Sequence, residues 1–429
     1  MYIYVSQPKY SLRQFCSRTF LKLWNGNGTK RGGTYLNWSN RNSCFKLIWT
    51  NDYTPVVTFF SLHSFSVASM ALAESKPNLS HLQVSELVKR LFDLTPSQIH
   101  PLPSYDDQNF HLVVSEDKEY VLKVMNSEDS QNPTLLELQT HAMTFLHERG
   151  LPAQTVLPTT SGQVMSLEDI DCGFGMQKYV VRLLTYLPGT TITKVPCSPQ
   201  ILYEAGKMAA KMDTVLQEME HPQLHVLQRE KFIWSLSNIP LLEPYLHLMD
   251  GDPVQQVVKS VIQLYKTCVQ PKLGSFRKCI NHGDFNDHNI LVQPDDSTAY
   301  KISGILDFGD MSSGYYVFEL AITIMYMMIE NPTSLDVARD VLAGWESVIP
   351  LNEAERDALY LLVLCRFCQS LVVARHTVVQ HPENKDYLMI TTKTGIRHLC
   401  RLWELGKEVV EKRWFQNAAQ DSGLQAQEV

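Results

Sequence analysis

At 429 residues, 44% of them hydrophobic and 19% charged, the chain is long enough for two or three compact units with a substantial core, and its composition is that of an ordinary globular protein. A net charge of -7 gives no general basis for nucleic-acid binding, and nine cysteines without framework spacing exclude a disulfide scaffold and suit a reducing compartment. The charge is uneven: residues 1–69 carry eight Lys or Arg against one acid, Asp52, for +7, which leaves -14 for the remainder.

That split marks residues 1–69 as a separate basic extension. The stretch is aromatic and Ser-bearing without an amphipathic period, which fits a disordered tail or a translated region ahead of Met70. A mitochondrial transit segment shares some of this composition. The first two readings place the protein in the cytoplasm, which is the expectation, and the third in mitochondria. The run from Gly26 to Gly33 lacks the Lys-Ser/Thr ending of a phosphate loop and reads as a flexible, turn-rich segment. No uninterrupted apolar run reaches about 18 residues, because His63 and several serines break residues 55–73 and Glu319 breaks residues 317–329, so no membrane span is expected.

From Ser80 regular periodicity begins. Leu82, Leu87, Val88, Leu91 and Phe92 predict a helix ending before Pro96, and residues 110–114 and 120–124 predict a hairpin around a charged turn. Lys123 is the one charge inside the second of these strands, on the face opposite Leu122 and Val124. Residues 134–149 predict a helix whose buried face, Leu135, Leu138, Ala142, Phe145 and Leu146, includes Gln139 and leaves Glu137 toward water. Residues 180–186 predict a buried strand running into the turn Leu187-Pro188-Gly189. Residues 200–219, 227–270, 335–348, 352–378 and 387–412 predict a largely helical second half, in which Cys365 and Cys368 read as buried helical thiols rather than a zinc or redox pair.

Chemistry concentrates in Asn281-His282-Gly283-Asp284-Phe285-Asn286-Asp287-His288-Asn289 and, after a short gap, Ile305-Leu306-Asp307-Phe308-Gly309-Asp310. The β-branched runs at 290–292 and 302–306 flank a turn-forming cluster at 293–297 and predict a hairpin. Its mouth brings Asn289 beside Asp307, and an amide oxygen with a carboxylate suits a hard cation such as Mg2+. Asp284, in the polar loop before Asn289, is placed to accept the proton of an attacking hydroxyl, while His282 packs within the loop. An apolar helix begins within about five residues of Asp310, which leaves no room for a peptide-substrate platform, so the substrate is expected to be small.

These segments, with the tracts at 101–110, 181–189 and 313–318, resemble the aminoglycoside phosphotransferase and choline kinase superfamily over residues 80–415. The resemblance implies an α+β, protein-kinase-like two-lobe fold. A small nucleotide-binding lobe with an antiparallel sheet would occupy 80–186, a larger, mainly helical catalytic lobe 187–415, and a flexible tail 416–429. It implies Asp284 as the catalytic base, Asn289 and Asp307 as ligands of Mg2+, and Lys123 as a phosphate-pairing lysine. Gln139 would stand where kinases place the acid that orients this lysine, with Glu137 as the alternative. Ser104 and Asn109, with Gln108, would line a glycine-free loop over the phosphates, and Leu184 and Tyr186 would lie at the hinge that binds the nucleobase. The tracts resemble in particular family members that phosphorylate 5-hydroxy-L-lysine, which implies that small molecule as acceptor and GTP, rather than ATP, as donor. No nucleic acid, membrane or obligate protein partner is expected. Asp287 and Asp310 are then spare acids for the ammonium groups of the acceptor, and Arg366 is a base for its carboxylate. A kinase for choline, homoserine or an aminoglycoside, or an inactive kinase-like binding module, is the alternative reading.

Overall fold

The computed structural model of the protein describes residues 36–40, 43–49, 55–60, 75–104, 106–173, 175–295, 300–331, 335–380 and 392–416. The chain divides into two units, residues 1–68 and 69–429. In the first, strands β1 (Leu36–Asn40), β2 (Ser43–Trp49) and β3 (Pro55–Phe60) form an antiparallel sheet in chain order, with Leu36 opposite Leu47 and Cys44 opposite Phe60. No strand was expected there, although the β-branched and aromatic run at 56–60 has the composition of one. Met70, the Gly26 to Gly33 run and the tail beyond residue 416 lie outside the described residues.

The second unit opens with helix α1 (His81–Phe92). The Ser80 side chain accepts from the Gln83 N–H while the Gln83 side chain returns to the Ser80 N–H, a reciprocal cap that fixes the first turn. The buried stripe is Val84, Leu87, Val88, Leu91 and Phe92, and Leu82 is exposed, so the face begins one half-turn later than its first leucine suggested. This stripe packs on Phe110, Leu112, Leu122, Val124 and Leu183, the inward residues of a six-stranded sheet.

That sheet is built from β4 (Gln98–Leu102), β5 (Gln108–Ser115), β6 (Lys118–Val124), β7 (Val156–Leu157), β8 (Ser166–Asp171) and β9 (Met176–Thr185), in the order β4-β5-β6-β9-β7 with β8 also on β9. The expected hairpin is β5–β6, and Lys123 lies opposite Asn109 across it. Because Leu122 and Val124 face α1, alternation sends Lys123 to the other face. Helix α2 (Pro133–Glu148) is started by Asn132, whose side chain accepts from the Leu135 N–H, and Gln139 is buried while Glu137 is exposed, as the periodicity required.

Beyond β9 the chain is mainly helical. A two-residue strand, β10 (Thr190–Thr191), is followed by α3 (Pro199–Leu216), and α4 (Gln255–Leu264) follows an irregular stretch. Residues 227–270 were expected to be helical, but residues 236–249 form 3-10 turns because Pro240 and Pro244 withhold backbone donors. Next come β11 (Lys278–Asn281), β12 (Ile290–Pro294), β13 (Tyr300–Ile305) and β14 (Ser312–Tyr315). The chain ends in α5 (Tyr316–Glu330), α6 (Val337–Glu346), α7 (Glu353–Gln380), α8 (Thr392–Leu405) and α9 (Lys407–Gln416). Contrary to the expectation of no such stretch, residues 353–379 of α7 are long and apolar enough to cross a membrane, but 78% of that apolar window is buried inside the protein. Cys365 and Cys368 are both fully buried on it. The fold is thus α+β, an antiparallel sheet region joined to a larger helical part.

Helices α3 and α6 approach with no side chain between them at two points. A Cβ at Gly206 would sit 1.9 Å from the Val341 carbonyl oxygen, and one at Gly344 would sit 1.9 Å from the Tyr203 carbonyl oxygen. Since both obstacles are backbone, Gly344→Ala should destabilise the fold by roughly 1–3 kcal/mol in urea unfolding, despite the better helix propensity of alanine. A more stable variant would contradict this crossing.

Candidate active site

Two strand pairings assemble the site. β11 pairs with β14 so that Asn281 faces Ser312, and β12 pairs with β13 so that Ile290 faces Ile305. The segments between these strands, 282–289 and 306–311, are therefore held side by side. Leu306 N–H donates to Asn289 O at 2.9 Å, which confirms the expected closeness of Asn289 and Asp307 at the hairpin mouth. Gly283 has φ +85° and lies so near the second segment that a Cβ there would be 2.6 Å from the Asp310 carbonyl oxygen.

His282 is fully buried, with Nε2 2.9 Å from Leu306 O and Nδ1 accepting the Asp284 N–H at 3.3 Å. Burial pushes it down to about 4, so the ring is neutral and both nitrogens are committed to the loop. Asp284 accepts from Asn289 Nδ2 at 2.9 Å, from Asn286 Nδ2 at 2.9 Å and from Arg366 Nη2 at 3.2 Å. Burial raises its carboxyl well above the usual range, Asp310 adds to this, and Arg366 opposes it. The loop is also held from below: Glu319, fully buried on α5, accepts the Gly283 N–H at 3.0 Å. In the sequence Glu319 stands out only as the break in an apolar run.

On the sheet side, Lys123 is 7% exposed and pairs with Asp307 at 2.9 Å and with Asp107 at 3.3 Å. Gln139 does not orient Lys123. Its Nε2 donates to Gly309 O at 3.0 Å, which ties α2 to the 306–311 segment. The acid beside Lys123 is Asp107, itself fixed by the Asn126 N–H at 2.9 Å. It was legible in the Ser104 to Asn109 tract, where hydroxyl and amide side chains were chosen instead.

Other expected roles also shift. The Ser104 hydroxyl donates to Asp107 O at 2.5 Å and Gln108 bonds both backbone groups of Leu79, so both are occupied in shaping the loop. Asn109 remains beside Lys123, its Oδ1 buried without a donor. Leu184 is a ladder residue between Val121 and Val156, and the Tyr186 N–H donates to Glu119 O at 3.3 Å, so neither offers a free N–H at the hinge. Asn286 Oδ1 accepts from the backbone of His288 and Asn289, and Asp287, in the turn this makes, is buried beside Glu330. Burial and that like charge push Asp287 up to about 8. Arg366 is 0% exposed and donates to Asp284, Gly283 O, Tyr326 Oη and Trp234 O, so it is enclosed by protein and cannot reach a substrate carboxylate. Asp310 lies close enough to Asp284 and Asp307 for their charges to interact: its backbone and Cβ pack on Gly283, its carboxyl is raised to about 6 chiefly by burial, and it has no hydrogen-bond donor among the described residues.

A base-like carboxylate, an amide and a second carboxylate at a hairpin mouth, and a lysine facing them from a sheet form a phosphoryl-transfer geometry. A family model described as "Phosphotransferase enzyme family" matches residues 98–359. The chain belongs to this family. It is 70% identical over 351 residues to hydroxylysine kinase of Danio rerio, covering 82% of this chain and 99% of that protein. It is 50% identical over 364 residues to hydroxylysine kinase of Bos taurus, covering 82% and 97%. The solved microcompartment-associated aminopropanol kinase, 14% identical, superposes with a TM-score of 0.57 over 79% of this chain and 97% of its own, which shows a shared fold. The protein is therefore a small-molecule phosphotransferase with an alcohol acceptor, in a family that uses a nucleotide and a divalent metal.

The residues fit such a metal. Asn289 uses its Nδ2 on Asp284, and Asp307 uses one oxygen on Lys123, while no protein donor among the described residues takes Asn289 Oδ1 or Asp307 Oδ2. Among the described residues no cluster of three His, Cys, Asp or Glu is arranged around a metal, so an ion here would draw its remaining ligands from phosphate and water, as Mg2+ does in nucleotide sites.

Lys123 draws the Asp307 carboxyl from its ordinary 3.8 down to about 2. A carboxylate with a lowered folded value stabilises the fold above its unfolded value and loses that contribution as pH falls through the folded one. The contribution is full above about pH 4 and gone by about pH 2. In urea unfolding the stability gap between wild type and Lys123→Met should narrow over that window, and a constant gap would count against the pairing.

Proposed function

We propose that this phosphotransferase moves the γ-phosphoryl group of GTP to the hydroxyl of 5-hydroxy-L-lysine with the help of Mg2+. The observation that carries the acceptor is the 70% identity along 99% of a hydroxylysine kinase. The reaction class is carried by the geometry of Asp284, Asn289, Asp307 and Lys123.

In this reading the acceptor hydroxyl donates a hydrogen bond to Asp284, which takes the proton late, because an alcohol is too weak an acid to ionise before the phosphorus is attacked. Asn289 and Arg366 hold the carboxylate in one orientation, so no rotamer search precedes the step. Lys123, anchored by Asp107, draws charge from the phosphates. Asn289 and Asp307 would hold Mg2+, which neutralises phosphate charge when bound. Asp310, free of protein donors, takes an ammonium group of the acceptor.

The test is nucleotide consumption with GTP and ATP across a panel of 5-hydroxy-L-lysine, homoserine, choline and an aminoglycoside, with and without Mg2+. Stimulation by 5-hydroxy-L-lysine with GTP, lost on chelation, is expected; stronger stimulation by another acceptor, or by none, would overturn the assignment. Asp284→Asn should lower kcat by roughly 10^2- to 10^4-fold with nucleotide affinity nearly unchanged. Arg366→Met removes the cation that holds the Asp284 carboxyl down, so its value rises further and the acid limb of kcat should move to higher pH. An unmoved limb would separate Arg366 from the base.

A further inference from the structure

A dibasic amino acid carries a carboxylate, and with Arg366 sealed inside the protein that carboxylate needs another partner. Among the described residues, four Lys or Arg side chains come near the 282–289 and 306–311 segments. Lys123 is tied to Asp107 and Asp307. Arg182 is 1% exposed and donates to Thr140. Arg366 is enclosed. Arg229 differs from these three.

Arg229 lies in the irregular stretch before residue 236 and is only partly buried. Its Nη1 donates to Gly309 O at 2.9 Å and to Met311 O at 3.3 Å, the two carbonyls that flank Asp310. Its guanidinium carbon sits 3.5 Å from the centre of the Phe232 ring. Those contacts fix the plane of the group and use one nitrogen. Among the described residues no protein acceptor takes Nε or Nη2, and neither atom is buried. The neighbouring Asp310 carboxylate is equally without a protein donor among the described residues, and the Asp310 backbone and Cβ pack on Gly283, next to Asp284. A rigid guanidinium edge next to an unpaired carboxylate matches the α-carboxylate and α-ammonium of a free amino acid, which sit on one carbon. The guanidinium is held in place before any ligand arrives, so little of its entropy is lost on binding.

We propose that Arg229 binds the carboxylate of the amino-acid acceptor while Asp310 takes the ammonium group beside it, and that this pair selects α-amino acids over amino alcohols that lack the carboxylate. This rests on the phosphoryl-transfer reading given above. Arg229 itself does not stand out in the sequence, where it is one charge at the start of a stretch expected to be helical and lies far from the catalytic segments.

Steady-state kinetics with GTP and Mg2+ on wild type, Arg229→Gln and Arg229→Lys, using 5-hydroxy-L-lysine and its decarboxylated diamine alcohol, tests the pair. For Arg229→Gln the KM for the amino acid should rise roughly 10- to 100-fold, while kcat, and the KM for the diamine alcohol, stay within about threefold. Arg229→Lys, which keeps the charge but loses the fork, should fall between. Parallel loss for both acceptors would assign Arg229 a structural role through Gly309 and Met311 and overturn the proposal, as would equal use of both acceptors by wild type or no change in either variant. If Arg229→Gln does not fold, as read by its unfolding midpoint, the acceptor ratio of Arg229→Lys decides in the same way. Wild type that turns over neither acceptor overturns the reaction proposed above, and this pair with it.

Discussion

The site depends on one constraint: a carboxylate, Asp284, must be held where burial strips it of much of its water. Burial and Asp310 both push its proton on, and an uncompensated charge in such a place costs several kcal/mol. What opposes them is a set of donors, Asn289, Asn286 and Arg366. Each donor brings its own requirement. Asn289 must stand at the mouth of the β12–β13 hairpin, which fixes it next to Asp307. Arg366 must itself be desolvated; Gly283 O, Trp234 O and Tyr326 Oη accept from its two terminal nitrogens, the Trp234 and Tyr326 rings lie 4.9 and 5.3 Å away, and its buried Nε has no acceptor among the described residues. The long buried helix α7 is thus the scaffold of the base as well as part of the core.

Much of this was legible in sequence where a role needs a local pattern. The hairpin, the adjacency of Asn289 and Asp307, the face of Lys123 and the burial of Gln139 follow from alternation and helical period. What failed are contacts across long sequence separations. Gln139 was judged buried, correctly, but periodicity says which face is inward and nothing about what lies there, and Gly309 O was the neighbour rather than Lys123. Asp107 was in view as one of a polar run, but only the β5–β6 pairing and the turn before it bring that acid onto Lys123. Glu319 was seen as an interruption of an apolar helix. A lone acid in such a helix is itself a signal, since it is tolerated only when it has donors to accept from.

The two arginines make the same point in opposite directions. Arg366 attracted notice because it is a charge in an apolar run, and that very burial commits it to protein partners. Arg229 attracted none because it is one charge beside Glu230 and Lys231 at the start of a stretch expected to be helical; the irregular turn it occupies instead leaves part of its guanidinium uncommitted. A charged residue conspicuous against an apolar background is a better candidate for holding a site together than for meeting a ligand.

The junction after Asp310 ties these features to the choice of substrate. β14 pairs with β11 immediately after the 306–311 segment, and α5 starts at the next residue. No chain length is left from which to build a platform for a peptide. The same short connection delivers Glu319 to the Gly283 N–H, so the loop carrying Asp284 hangs from the first turn of a fully packed helix. A protein kinase places a switchable segment at this point and can withdraw its catalytic geometry. Here the loop cannot shift without dragging a buried carboxylate and the arginine on α7 with it. The geometry is set once by folding, which suits an enzyme whose selectivity must reside in the few side chains beside Asp284.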